Sequence, residues 1–513
     1  MLTSQHMEQT NMSENTSGVF IHGVASGDPL QDRVIIWTRV TTTTNEPVQV
    51  NWKMGRDRNF NGLVASGTAL AQSDADFTVK VDVTGLNPGT HYFYQFAAWG
   101  ETSPVGRTKT LPPDGTKHLR FAQVSCARYD AGFFNAYAKI AEREDLEFVL
   151  HLGDYIYEIA EKLPEAQIVG DRLFDPLHEC KTLADYRRRY AQYRRDPAVQ
   201  KMHAALPIIA TMDDHELAND AWRDGAGEHN PEVDGDWAKR RATAFRVRWE
   251  WLPARMPDPA DPERVFRKVS LGGLADLLLV ETRSRRDIPV TGEAMYDLDR
   301  SALGHQQREW LFNELENSTA TWRMLGCPSV LSPTWSPTLP ESLQKPLVKV
   351  KLIDAETFGP DSDQWDGYPV ERDRLLGLIQ EKAIKNVVVL SGDVHVGLAM
   401  ELKRHAFDPD EAPIGVEFVT TSVASFNLDD KMGWEPRTKS KLLQAELLKA
   451  IPHIKWCDLD SHGYNIIDVT PAQVTAQWRF VDTVLQPSDR EMSGASFMVK
   501  AGCPQLIAIE SRM

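Results

Sequence analysis

Phe148-Val149-Leu150-His151-Leu152-Gly153-Asp154-Tyr155-Ile156-Tyr157 decides the fold. The apolar run is too short for a helix and stops at Gly-Asp, the pattern of a buried strand with a carboxylate just past its carboxyl end. The same shape recurs three times. Leu119–Ser125 runs into Cys126-Ala127-Arg128, Pro207–Met212 into Asp213-Asp214-His215-Glu216, and Asn386–Ser391 into Gly392-Asp393-Val394-His395. Asp276–Glu281 is a further strand, and helices are expected over Phe133–Glu142 and from near Pro369. Strands alternating with helices indicate a layered α/β domain. The long connections Ile159–Thr182 and Ala221–Trp237 are candidates for part of a site.

Upstream the pattern differs. Arg33–Val40, Val48–Met54, Phe77–Val83 and His91–Ala97 read as short strands, the last two with period-2 alternation. Leu86–Tyr94 (LNPGTHYFY) resembles the closing turn of immunoglobulin-like sandwiches. Leu111-Pro112-Pro113-Asp114-Gly115 reads as a linker. The expected organisation is a polar segment over 1–18, an immunoglobulin-like β-sandwich over 19–111 and an α/β domain over 117–513.

The chain has 513 residues, ample for a large core without staples, and a formal net charge of −16. Such acidity argues against nucleic-acid or anionic-membrane binding, which needs a basic footprint. An anionic substrate stays open, because bound cations invert the field of an acidic cleft. Five scattered cysteines make no disulfide framework and leave at least one thiol unpaired. No apolar run is long enough to span a membrane. Met1–Gly18 carries neither an apolar segment nor a twin-arginine pair, so no secretion signal is expected in the chain as it stands. It either stays inside the cell or has lost a leader.

Residue types at the four strand ends suit a pair of metal ions. Two cations about 3.5–4 Å apart need a bridging carboxylate, which Asp154 can supply. Cys126 and Tyr157 offer thiolate and phenolate, donors that favour a ferric ion. His395, two residues past Asp393, points the same way on extended backbone. Asp214 and Asp393 are hard oxygen donors for Ca²⁺, Mg²⁺ or Mn²⁺. Taken singly, each has a plainer reading: a turn at Gly153-Asp154, a small buried hydrophobe at Cys126, a solvated helix start at Asp213–Glu216. His151, inside its strand, reads as a hydrogen-bonded core residue. The four together, in chain order, are what point to a metal site.

At these motifs the chain resembles the alkaline phosphatase D (PhoD-like) family of metallophosphoesterases. SCARYDAGFFNAY from Ser125, HLGDYIYE from His151, MDDHELAND from Met212, WDGYPVERDRLL from Trp365, SGDVH from Ser391 and GVEFVTTS from Gly415 carry the resemblance. It extends from about Val24 to Tyr464. The resemblance implies an immunoglobulin-like first domain and a four-layer α/β/β/α catalytic sandwich. It implies one Fe³⁺ with one or two Ca²⁺, other divalent ions being open on the calcium side. Cys126, Asp154, Tyr157 and His395 match the iron ligands, with Asp154 bridging. Asp214, with or without Asp213, and Asp393 match the calcium side. His215 matches a histidine at the phosphoryl group or leaving oxygen, and Arg128 and His462 match oxyanion contacts. Export is usual for the family. Two stretches depart from its pattern: Glu281-Thr282-Arg283 has Glu in place of Asp, and Leu325–Ser329 lacks a polar Asn-Gln pair.

The expected activity is hydrolysis of phosphate mono- or diesters by a metal-bound hydroxide, with His215 serving the leaving oxygen. A phosphodiesterase of phospholipase D-like specificity is the alternative within enzymes, and a binding module stabilised by metals the alternative outside them. The arginines at 187–189, 194 and 195 are expected on a solvated helix face paired with local acids. Trp365 and Tyr368 either line the cleft or pack. The composition does not indicate an oligomeric state.

Overall fold

Val387–Ser391 (VVVLS) and Ala275–Leu279 (ADLLL) are buried at every residue, as strands covered on both faces must be. This computed structural model describes residues 18–160 and 168–509. Except for Gly18, the polar segment expected over 1–18 lies outside the described residues, as do 161–167 of the connection Ile159–Thr182.

The two buried strands belong to a seven-stranded mixed sheet. Its order is Arg267–Leu271, Ala275–Leu279, Trp322–Gly326, Val387–Ser391, Gly415–Val419, Gly397–Leu402 and Ile454–Asp458. It faces a ten-stranded sheet whose centre is the parallel trio Leu119–Val124, Val149–His151 and Ile208–Ala210. Between the sheets lie Phe121, Phe148, Leu150, Ile209, Leu277, Met324, Val388, Leu390, Phe418 and Ile467. Helices cover both outer faces. Leu183–Arg195 starts at a Thr182/Asp185 capping box, Pro197–Ala205 at an Asp196 cap with Pro at its first position, and Trp237–Trp251 at an Asp236 cap. On the other side, His305–Asn317 and Pro369–Glu381 bury Leu311, Leu315, Leu375 and Ile379. This is the expected α/β/β/α sandwich.

The first region forms a β-sandwich. Leu63–Ala71, Val48–Gly55, His91–Ala98 and Glu101–Thr102 make one sheet, with Gly106–Lys109 on His91–Ala98. The Leu86–Tyr94 turn is closed by the Asn87 N–H donating to the buried Tyr92 hydroxyl at 2.8 Å. The facing strands, Val24–Gly27, Arg33–Arg39 and Thr78–Thr84, continue the ten-stranded sheet, because Gly27 pairs in parallel with Ile208. Glycine permits that approach: a Cβ at Gly27 would stand 2.3 Å from the Pro253 carbonyl and 2.7 Å from that of Ile208. Arg267 to Asp28 at 2.6 Å and Arg255 to Asp82 at 2.7 Å secure the junction.

Some expectations change. The strands ending at the site are shorter than read, Val149–His151 and Ile208–Ala210, because the chain leaves the ladder to present its polar residues. Leu63–Ala71 escaped notice because most of its residues are exposed or half-buried and carry small or polar side chains. Of the arginine run, Arg187 pairs with Glu250 at 2.7 Å and Arg188 pairs with Asp175. Arg189 and Arg194 are fully buried, which overturns a wholly solvated face. Arg194 stacks on Trp37 at 4.4 Å, while Arg189 donates to the carbonyls of Tyr157, Ile159 and Pro176. Trp365 and Tyr368 pack: the indole N–H reaches Cys327 Sγ at 3.3 Å and the phenol donates to the Asp287 carbonyl at 2.6 Å. His151 is the core residue expected, 2.7 Å from the Tyr137 hydroxyl.

Candidate metal centre

The four strand ends meet. One ligand atom from each of Cys126, Asp154 and His395 lies within 4.8 Å of the others. The same holds for Asp154, Asp213, Asp214 and Asp393, and for Asp154, Asp214 and His215. Tyr157 closes the first group, its hydroxyl donating to Asp154 Oδ2 at 2.9 Å and lying 3.3 Å from His395 Nε2. Neighbouring ladders impose this convergence: Leu152 N–H bonds the Val124 carbonyl, Thr211 N–H that of His151, and Thr420 N–H that of Ser391.

Backbone conformation marks the same residues. Cys126, Asp154, Asp393 and His395 have φ of 60°, 56°, 66° and 60°, in the left-handed region that costs a non-glycine residue energy, so Asp393 and His395 do not meet on the extended backbone expected from their spacing. Such outliers persist where the surroundings hold them, and they gather at functional sites. The glycines just before two of these residues are sterically required. A Cβ at Gly153, whose φ is +114°, would meet Asp213 N and Cβ at 2.5 Å, and one at Gly392 would meet Ser125 Oγ at 2.5 Å. Gly153→Ala is expected to cost about 1–3 kcal/mol and to reduce metal content, read by thermal unfolding and elemental analysis. An unchanged Tm would show that the turn gives way.

Burial and mutual repulsion act on the acids of the centre. Burial pushes the Asp154 and Asp213 carboxyls well above the usual range, and Asp214 and Asp393 add to the push on both. Burial and Asp154 raise the Cys126 thiol and Tyr157 phenol likewise, and a cation opposite them favours their ionised forms. Asp154 Oδ1 and Asp214 Oδ1 are buried without a hydrogen-bond partner. Against the cost of burial, Asp154, Asp214 and Glu158 raise His215 to about 10.

Several residues that hold the site were not singled out from sequence. Glu216 accepts the N–H groups of Asp154 at 2.9 Å, Tyr155 at 2.6 Å and Asp213 at 2.9 Å, so Asp213–Glu216 is an internal anchor and not a helix start. Glu158 takes His215 Nδ1 at 2.8 Å and the Asn219 N–H at 2.7 Å. Arg283, fully buried, donates to Asp213 and to Asp393 Oδ2 at 2.9 Å, and is ion-paired with Asp363 Oδ2 at 2.7 Å. Ser425 Oγ is 2.7 Å from the Tyr157 hydroxyl, and the Phe426 carbonyl is 2.8 Å from His395 Nδ1. Arg128 and His462 stand beside this segment. Arg128 is forked onto Asp130 at 2.7 and 2.8 Å over the Phe426 ring, and His462 lies 3.0 Å from the Ser425 carbonyl. All five cysteines are free thiols, Cys126 among them.

Comparison with known proteins agrees with this geometry. A family model described as "PhoD-like phosphatase" matches residues 121–478, and one described as "PhoD-like phosphatase, N-terminal domain" matches residues 6–112. Alkaline phosphatase D of Bacillus subtilis (strain 168) is 34% identical over 509 residues, covering 96% of this chain and 82% of that protein. The solved structure described as "Structure of PhoD" superposes with a TM-score of 0.85 at 32% identity, covering 97% of this chain and 93% of that one. Among the described residues, no helix is long and apolar enough to cross a membrane. The strand-end motifs and both sheets thus fall within one match from end to end: the chain belongs to the PhoD-like phosphatase family and is a phosphoric ester hydrolase.

Proposed function

We propose that the centre is a two-metal phosphoesterase site, with Fe³⁺ held by Cys126, Asp154, Tyr157 and His395 and Ca²⁺ by Asp154, Asp214 and Asp393. The observation that carries this reading is the double membership of Asp154, which stands within 4.8 Å of a thiol and an imidazole in one group and of three carboxylates in another. The donors fit: sulfur, phenol and imidazole suit a ferric ion, and oxygens alone suit calcium. Asp154 Oδ1 and Asp214 Oδ1, buried without a hydrogen-bond donor, fit as well, since a buried acceptor left unpaired is costly.

Bound there, two cations would supply an activated water and neutralise charge on the phosphoryl oxygens. Glu158 accepts the Nδ1–H of His215 at 2.8 Å, and the imidazolium, with a ring nitrogen within 4.8 Å of Asp154 and Asp214, holds its second proton for the leaving oxygen. Asp213 serves the calcium side through Arg283, the cation that also fixes Asp393. Arg128 and His462 position the 425–427 segment behind Tyr157 and His395.

Protein purified without chelators should contain one iron and calcium and should cleave a phosphate ester. A panel of monoesters and diesters identifies the preferred class. Protein free of iron yet fully active would overturn the assignment of the metals. Glu158→Gln should lower kcat about 10–100-fold with little change in KM. Alkyl phosphates, whose leaving oxygens need the proton, should lose more than aryl phosphates. Equal losses on both would remove Glu158 from the path to His215.

A further inference from the structure

One stretch of the chain reaches the proposed iron ligands Cys126 and Tyr157 from behind. Past the strand Gly415–Val419, the Val423 N–H bonds the Ser125 carbonyl at 3.0 Å and the Ala424 N–H that of Cys126 at 3.3 Å. These two bonds set Ser425, fully buried, opposite both ligands. Its Oγ lies 2.7 Å from the Tyr157 hydroxyl and 3.0 Å from the Cys126 carbonyl. A serine hydroxyl has one proton, so it serves one of these oxygens at a time. The Cys126 carbonyl already has the Ala424 N–H, whereas Tyr157 gives its own proton to Asp154 Oδ2 and keeps lone pairs for Ser425. The Ser425 carbonyl is fixed as well, by the Ser422 hydroxyl at 2.7 Å and by His462 Nε2 at 3.0 Å.

We propose that Ser425 is a positioning residue of the centre: its hydroxyl donates to the Tyr157 oxygen when that oxygen binds a ferric ion, and so limits the negative charge Tyr157 gives the metal. The proposal rests on the metal-pair reading above. A phenol binds Fe³⁺ as phenolate, and a hydrogen bond to a charged acceptor is about twice as strong as one to a neutral carbonyl. The hydroxyl proton is therefore drawn to Tyr157 and away from Cys126. The other polar atoms at the Tyr157 hydroxyl, Asp154 Oδ2 and His395 Nε2, belong to proposed ligands and offer it no proton, His395 giving its Nδ1 proton to the Phe426 carbonyl. A phenolate that accepts the serine bond donates less to the ion, which stays the stronger Lewis acid toward water and phosphate oxygen. Partners behind a ligand tune a metal in this way.

The test is optical. A phenolate on Fe³⁺ absorbs visible light by sending an electron to the ion, and a hydrogen bond on its oxygen raises the energy required. Wild type, Ser425→Ala and Ser425→Thr are purified without chelators, iron is counted by elemental analysis, and the band is compared per bound iron. In Ser425→Ala the band should move to longer wavelength. Resonance Raman scattering excited in it should show phenolate ring vibrations, which separates it from a thiolate band. Ser425→Thr keeps the hydroxyl and should keep the wild-type band. The kcat of Ser425→Ala should fall about 10-fold with KM little changed, and that of Ser425→Thr much less. A serine that only packs would lower Tm on replacement and leave the band in place. That outcome, or a band moved equally in both variants, would overturn the proposal. Wild type with no iron, or with iron but no phenolate band, would instead sink the metal-pair reading, a distinguishable failure.

Discussion

Asp154→Asn should lower kcat/KM by at least about 10³-fold while leaving the metal-free fold intact. Its carboxylate is the one donor common to both groups, and each tenfold of rate corresponds to about 1.36 kcal/mol of barrier. Losing the bridge removes charge neutralisation at both metal positions, a contribution of several kcal/mol. The fold should not suffer equally. In the metal-free protein burial, Asp214, Glu216 and Asp393 together outweigh His215 and disfavour the Asp154 carboxylate, so an amide of the same shape relieves more than it breaks. The contact it weakens is the Tyr157 hydroxyl, which donates to Asp154 Oδ2 and can donate to an amide oxygen as well. The expected result is a Tm in chelator equal to or above that of wild type, with bound metal reduced and turnover nearly gone. A variant that loses stability and activity in proportion would instead describe a metal site that only holds the fold.

The path from sequence to this site was uneven for a physical reason. Asp154, Asp214, Asp393, Cys126 and His395 were legible because an apolar run ending in a polar donor is a local pattern, and parallel sheets bring such ends together. Arg283 obeys the same rule. It stands just past the strand Ala275–Leu279, and extending the strand-end reading to that fifth strand would have found it. Glu216 was hidden by its own neighbourhood: an acid after Asp-Asp-His suggests a helix start, whereas its acceptor role depends on amides 61 and 62 residues away. The continuous sheet was hidden similarly. Gly27 matters only once it stands beside Ile208, a parallel neighbour that no turn or alternation announces.

Arg283→Met should destabilise the protein by about 3–5 kcal/mol, the cost of leaving buried acids without their counter-charge. The guanidinium is fully buried and holds Asp213, Asp363 and Asp393, with Asp214 at 4.0 Å. Methionine fills much of the same volume, so lost packing contributes little and the effect is electrostatic. Metal ions enter the same balance. Cations bound by Asp214 and Asp393 offset part of the missing charge, so the variant should lose more stability in chelator than in excess metal. Asp363 keeps Arg286, but Asp213 has no such substitute, and the recovery should be incomplete. Arg283→Lys keeps the charge but cannot reach three carboxylates with one ammonium, and should fall between the two. Thermal unfolding of the three proteins with and without metal measures these differences directly. Equal Tm values for wild type and Arg283→Met in chelator would mean that the acids around Arg283 are protonated in the metal-free protein, and that the arginine is needed only once metal has ionised them.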